Sequence, residues 1–207
     1  MTAVIFDCDG TLVDSEPLAR TAWERALAPY GYALTDEDAE ASVGLPYPRV
    51  HAYFAERAEL PAAEPFWAEF SGELFALIDS ELAPFDDAVE AARELRARGI
   101  PVGVASSSPR DRLQRTLSRA GLLDAFDVVV AGDEVTNGKP APDMFLLAAE
   151  RLGVPPDQCI VIEDSPPGVE AGVAAGMHTI GVSRTGATLT GADRVVDFLT
   201  ADVILAK

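Results

Sequence analysis

The sequence predicts an α/β fold: a parallel sheet covered by helices on both faces, with a small helical module inserted after the first strand. Three features carry that reading. Short apolar runs suited to buried strands alternate with helix-length amphipathic segments from about residue 85 onward. Between Pro17 and about Asp79 the alternation stops and only helical spacing is found. Polar and acidic residues stand directly after the strand runs, where open parallel sheets bind ligands.

The first strand is Ala3-Val4-Ile5-Phe6, followed by Asp7-Cys8-Asp9-Gly10, in which Gly10 ends the strand and starts a loop. Pro17 suits a first helical turn, and Leu18, Ala22, Trp23, Ala26 and Leu27 form an apolar stripe ending near Gly31. Thr35 to Asp38 reads as a capping box with Asp in place of Glu. Gly44-Leu45-Pro46 breaks the chain before a helix over about 47–58. Phe66, Trp67, Phe70, Leu74, Leu77 and Ile78 then recur at helical spacing, as a core stripe rather than a ligand site. From there the pattern is a helix over 86–98 stopped by Gly99, a strand over 101–105, a helix over 109–120 and a strand over 127–131. A helix over 142–152, a strand over 159–163, a helix over 166–175 and a strand over 178–182 complete it. The expected division is an α/β core of residues 1–14 and 85–207 with a helical module of residues 15–84.

Composition narrows the function. With 48% apolar and 24% charged residues the chain has the balance of an ordinary globular protein. A formal net charge of −18 argues against nucleic-acid or anionic-membrane binding, since both need a basic face. No apolar run is long enough to span a bilayer, and a strand starting at residue 3 leaves no room for a targeting segment, so a cytoplasmic location is expected. Cys8 follows the end of one strand and Cys159 begins another, which in a parallel sheet separates them by roughly 15 Å at about 3.3 Å per residue, so free thiols are expected. His51 and His178 are the only histidines, and no Cys/His spacing suggests zinc. Lys139 and Lys207 are the only lysines in an arginine-rich chain, which makes the internal one conspicuous.

Four strand ends carry chemistry. Asp7 and Asp9 would repel each other unless a cation or a proton intervenes, although a polar strand end with a turn is an alternative reading. In Ser106-Ser107-Ser108-Pro109-Arg110-Asp111, Ser108 reads as the helix N-cap and Asp111 as the box partner. That leaves the Ser106 hydroxyl and the next backbone N–H, that of Ser107, free to hold a phosphoryl oxygen, or simply to line a loop. Lys139 is either solvated or pinned by the Pro-Ala-Pro that follows it. Ser165 reads as an N-cap before Pro166, leaving Glu163 and Asp164 as acids on a buried strand end, where a cation would relieve their burial.

Asp7, Asp9, Ser106, Lys139 and Asp164, with the run Thr-Leu-Val-Asp-Ser-Glu after Gly10, occur in the order and spacing of the four signatures of the haloacid dehalogenase superfamily. The chain resembles that family over essentially its whole length, and its insertion resembles the small cap of the β-phosphoglucomutase-like branch. The resemblance implies a Rossmann-like parallel core with an inserted α-helical cap. It also implies a magnesium-dependent phosphatase that hydrolyses a small phosphorylated metabolite through an aspartyl-phosphate. Asp7 would be the nucleophile, and Asp9 the acid and base, with a carboxyl pKa raised by a neighbouring carboxylate and by desolvation. Magnesium would sit between Asp7, the Asp9 backbone carbonyl and Asp164, with Glu163 near, while Ser106, Ser107 and Lys139 hold the phosphoryl group. Arg20, Trp23, Tyr47, Arg49 and His51 are cap candidates for reading the substrate.

A β-phosphoglucomutase-type phosphomutase is the alternative. That enzyme carries a histidine where this chain has Ala19, an arginine where it has Tyr47, and a cap lysine where none precedes Lys139. A dehalogenase would need neither magnesium nor an acid at Asp9. A non-catalytic binding protein would show a damaged signature, and all four are intact.

Overall fold

The computed structural model describes residues 2–42, 47–184 and 186–206. Its elements in chain order begin with β1 (Ala3–Phe6) and β2 (Val13–Asp14). Then come α1 (Glu16–Leu27), α2 (Asp36–Ser42), α3 (Tyr47–Ala55) and α4 (Ala63–Glu81). The chain continues through β3 (Ala83–Pro84), α5 (Asp86–Ala97), β4 (Val102–Ala105), α6 (Arg110–Arg119), β5 (Val128–Val130) and α7 (Asp143–Leu152). It ends with β6 (Cys159–Glu163), α8 (Pro166–Ala174), β7 (His178–Val182), β8 (Arg194–Val196) and α9 (Ala201–Leu205). Two compact units result: Met1–Asp14 with Ala83–Lys207, and Ser15–Leu82.

The first unit is built on a six-stranded sheet in the order β5-β4-β1-β6-β7-β8, parallel throughout. β1 is central and buried along its length, which its four apolar residues allow. Ala3 and Ile5 face a core made with Ala105, Val130, Val161 and, from the helices, Met144, Phe145, Ala148 and Ala171. Period-two alternation turns Val4 and Phe6 to the other face, where Phe6 meets Phe126 edge-on at 6.2 Å. The expected α/β architecture is present, and Cys8 and Cys159 are free, buried thiols. The β2–β3 pair, β8 and α9 are additions to the expected pattern. β2 and β3 are two residues each, held antiparallel through Val13↔Pro84 and Asp14↔Ala83.

The helical unit packs α1 on α4 through Leu18, Ala22, Ala26 and Leu27 against Phe66, Phe70, Leu74, Leu77 and Ile78. The Thr35–Asp38 box forms as expected, with Asp38 N donating to Thr35 Oγ1 at 3.1 Å and Thr35 N donating to Asp38 Oδ2 at 2.9 Å. Burial alone would raise the Asp38 carboxyl, but hydrogen bonds from Thr35, Tyr53 and Tyr32 hold it at about 2. α3 ends at Ala55, three residues short of expectation, where the Phe54 carbonyl accepts from both Arg57 N and Ala58 N. The break at Gly44-Leu45-Pro46 lies outside the described residues. Among the described residues no helix is long and apolar enough to cross a membrane.

Candidate active site

The sheet register gathers the acids. Phe6 lies between Val104 of β4 and Ile162 of β6, so Asp7, Ser106, Glu163 and Asp164 all emerge at one edge. Asp7 N still donates to the Ile162 carbonyl at 2.9 Å, which pins the nucleophile candidate to the sheet. The chain then leaves through Gly10, whose φ of 85° is left-handed. A Cβ on Gly10 would lie 2.1 Å from Asp164 Oδ2, so glycine is also what lets this loop lie against Asp164.

Lys139 enters from the loop before α7 and is not solvated; its side chain is only 6% exposed. Its Nζ donates to Asp7 Oδ1, to Glu163 Oε1 at 2.6 Å and to the Ala105 carbonyl at 3.3 Å. Burial opposes its charge, but Asp7 and Glu163 hold the ammonium well above its ordinary pKa. Burial pushes the Asp7 carboxyl well up; Lys139 opposes this, while Glu163 and Asp164 add to it. Asp164 is pushed up to about 7 by burial and then by the charge of Glu163, against a hydrogen bond from Thr11 Oγ1 to its Oδ1 at 3.0 Å.

Glu163 departs from expectation: it is buried but not unpaired. Besides Lys139 it accepts from Ser165 N and Ser165 Oγ, both at 2.9 Å, on Oε2. Ser165 meanwhile caps α8 as expected, accepting from Gly168 N at 3.2 Å. Two of the Glu163 contacts therefore go to Ser165 and one to Lys139, an arrangement suited to aiming Lys139.

Carboxylate oxygens of Asp7, Glu163 and Asp164 lie within 4.8 Å of one another. Two buried carboxylates and the partly buried Asp164 outnumber one ammonium, and burial first, then the neighbouring carboxylates, raise Asp7 and Asp164. An all-oxygen, carboxylate-rich set of this kind fits a hard divalent cation. Since Lys139 and Ser165 occupy Glu163, Asp7 and Asp164 are the better-placed ligands.

Asp9 accepts from several hydrogen-bond donors. Its Oδ2 accepts from Ser108 Oγ at 2.7 Å and Ser106 Oγ at 3.2 Å, and its Oδ1 from Arg112 Nη2 at 2.9 Å. Ser108 is therefore not the N-cap of α6; that position falls to Pro109, and Asp111 accepts from Arg112 N instead of closing a box. Ser106 also accepts from Ser108 N at 3.1 Å. The Ser107 side chain is exposed, and its backbone is pressed by Gly132, where a Cβ would lie 2.2 Å from the Ser107 carbonyl oxygen. Sequence reasoning missed Ser108, Arg112 and Thr11; the unbroken run after Gly10 was a signal for Thr11, and nothing local marked Arg112.

The cap candidates are tied into their own unit. Arg20 pairs with Glu24 and Asp36, Trp23 stacks on Phe70 at 3.8 Å, the Tyr47 hydroxyl donates to the Ala63 carbonyl, and His51 Nε2 bonds the Pro61 carbonyl. Arg49 is exposed.

Comparison with known proteins bears on this geometry. The chain is 36% identical over 181 residues to a phosphorylated carbohydrates phosphatase of Thermotoga maritima, covering 87% of this chain and 84% of that one. It is 34% identical over 213 residues to a bifunctional riboflavin kinase/FMN phosphatase of Arabidopsis thaliana, where it spans 100% of its own length but 55% of the relative. A crystal structure from Thermotoga maritima, provisionally named a β-phosphoglucomutase, matches with a TM-score of 0.83 and 33% identity over 99% of this chain and 97% of that one. Residues 1–176 match the family model for haloacid dehalogenase-like hydrolases, the span that contains every strand end considered above. The chain belongs to the haloacid dehalogenase-like hydrolase family.

Proposed function

We propose that this chain is a magnesium-dependent phosphatase that hydrolyses phosphate monoesters of small sugars or related metabolites through an aspartyl-phosphate on Asp7. The observation that carries this is Asp7 itself. It is a buried carboxylate fixed to the sheet, bonded to a buried ammonium on one oxygen and set beside Asp164. A carboxylate in that setting can take a phosphoryl group and release it again, which splits one hard displacement into two easier ones.

In the first half-reaction an Asp7 oxygen bonds to phosphorus as the ester oxygen departs, taking the proton of Asp9. In the second, Asp9 takes a proton from water, the water oxygen bonds to the same phosphorus, and Asp7 leaves as the free carboxylate. Lys139, aimed by Glu163, holds its charge against the nucleophile and the transferring oxygens. Asp7, Asp164 and the Asp9 backbone carbonyl would hold the magnesium ion, with Glu163 behind the lysine. When bound, the ion offsets the repulsion between an anionic nucleophile and an anionic ester. Ser106, whose hydroxyl donates to Asp9 Oδ2 in this structure, and the Ser107 N–H are the proposed phosphoryl contacts.

The phosphorylated carbohydrates phosphatase relative supports sugar phosphates as the substrate class. Mutase activity is less supported, because Ala19, Tyr47 and a cap without lysine depart from the mutase pattern. Residues 15–84 are proposed as the cap that selects the substrate. The test is incubation with β-glucose 1-phosphate, a priming bisphosphate and magnesium. Phosphate should appear faster than glucose 6-phosphate; conversion to glucose 6-phosphate with little phosphate release overturns the hydrolase in favour of the mutase.

A further inference from the structure

Asp9 follows the end of β1 and precedes a left-handed glycine, so it stands on a loop, with a side chain 27% exposed. A carboxylate in that position has several staggered wells open to it. Three donors converge on it from one stretch of chain. Ser106 and Ser108 hold Oδ2 from the loop after β4, and Arg112, in the first turn of α6, holds Oδ1 at 2.9 Å.

Arg112 is not arranged as an ordinary surface pair. Its side chain is 20% exposed, and its Nε is buried with no hydrogen-bond partner among the described residues. A guanidinium pairing for its own sake presents two parallel N–H groups to a carboxylate. Here one nitrogen is turned to a single Asp9 oxygen and Nε is left unpaired. Arg110, two residues earlier in the same helix, behaves differently, pairing with Glu134 and the Val129 carbonyl.

We propose that Arg112 is a positioning residue for the reaction, acting through Asp9. Together with Ser108 it selects the Asp9 rotamer, so that the carboxyl oxygen that gives its proton to the leaving oxygen is already placed when the ester binds. This rests on the reading of Asp9 as the acid and base. It adds an element the family signatures do not contain, since Arg112 lies beyond the serine run and carries no motif of its own. Its effect is confined to steps in which a proton moves. Transfer of the phosphoryl group to Asp7 from an ester whose leaving group needs no proton is insensitive to it.

The experiment uses the full chain with saturating magnesium and compares wild type with Arg112→Met, Arg112→Lys, Ser108→Ala and Asp9→Asn. Two substrates are used: the sugar phosphate hydrolysed fastest, and p-nitrophenyl phosphate, whose pre-steady-state burst of nitrophenolate reports phosphorylation of Asp7 alone. Arg112→Met should lower kcat on the sugar phosphate by on the order of 10²-fold, the effect of misplacing a reacting group by about 1 Å, with KM little changed. Its nitrophenolate burst should stay within about threefold of wild type, and Arg112→Lys should recover part of the loss. Ser108→Ala should show the same asymmetry more weakly, which keeps the test alive should Arg112→Met fold poorly. An equal fall with both substrates, a raised KM at unchanged kcat, or no effect overturns the proposal. Asp9→Asn separates the two layers. If it lacks the leaving-group asymmetry, the acid–base reading fails. If it shows the asymmetry and the Arg112 variants do not, only the positioning role fails.

Discussion

Replacing Lys139 by Met keeps much of the side-chain volume and removes the charge, which isolates what the ammonium does. In the wild type the Lys139, Asp7 and Glu163 side chains are 6%, 8% and 1% exposed. The substitution therefore takes the ammonium from buried Asp7 and leaves Glu163 with only its Ser165 donors, with Asp164 beside them. Removing one partner of a buried pair costs about 3–5 kcal/mol. That is a large share of the roughly 5–15 kcal/mol that stabilises a domain. The loss should depend on pH in a stated direction. Asp7 already has a folded-state pKa above its ordinary value, and Lys139 is what opposes that rise, so the variant raises it further. For an acid whose pKa is raised on folding, stability is fully present below the unfolded value, about 4, and is lost as pH rises through the folded value. The variant should thus be closest to wild type near pH 5 and furthest from it at pH 8. Urea unfolding in excess chelator at both pH values measures this, with the urea dependence unchanged between the two proteins. A deficit under about 1 kcal/mol at pH 8, or a larger deficit at pH 5 than at pH 8, refutes the reasoning.

Two further outcomes follow from the same centre. Asp164 is pushed up to about 7, so below that pH a proton occupies a ligand of the proposed ion. Magnesium affinity measured by calorimetry should weaken as pH falls below about 7 and binding there should release protons; affinity constant between pH 5.5 and 8 contradicts the assignment. Gly168→Ala would put a Cβ 1.8 Å from Glu163 Oε1, forcing that carboxylate off Lys139. Turnover should fall at least tenfold, with stability down by a few kcal/mol, roughly the loss of a buried charge-assisted bond. Wild-type rates and melting would show that Glu163 does not aim the lysine.

Much of the fold was legible because buried parallel strands are written as continuous apolar runs. β6 and β7 begin and end where their runs do, Cys159–Glu163 and His178–Val182. β2 and β3 were not legible, since two residues carry no periodicity and the pair exists only through a partner about 70 positions away. The site divides in the same way. The chemical types at strand ends could be read from position alone, but their contacts could not. A serine before a proline at a helix start looks the same whether its hydroxyl caps the helix or, as with Ser108, reaches an acid 99 residues away. Glu163 looked unpaired because its partner Lys139 lies 24 residues earlier, in a loop that local reasoning leaves in water. Arg112 is one arginine of several in an amphipathic helix, and only the tertiary structure turns it toward Asp9.

Both half-reactions of the proposed mechanism pass through a phosphoryl group on Asp7. Enzyme in slight excess, mixed with a sugar phosphate and magnesium and quenched in acid within the first turnover, should yield a peptide spanning Asp7 heavier by one phosphoryl group. The increment should vanish once the substrate is consumed and be absent in Asp7→Asn, whose amide cannot form the acyl phosphate. Phosphate release at the wild-type rate with no phosphoryl group ever found on Asp7, or turnover retained by Asp7→Asn, would contradict the mechanism.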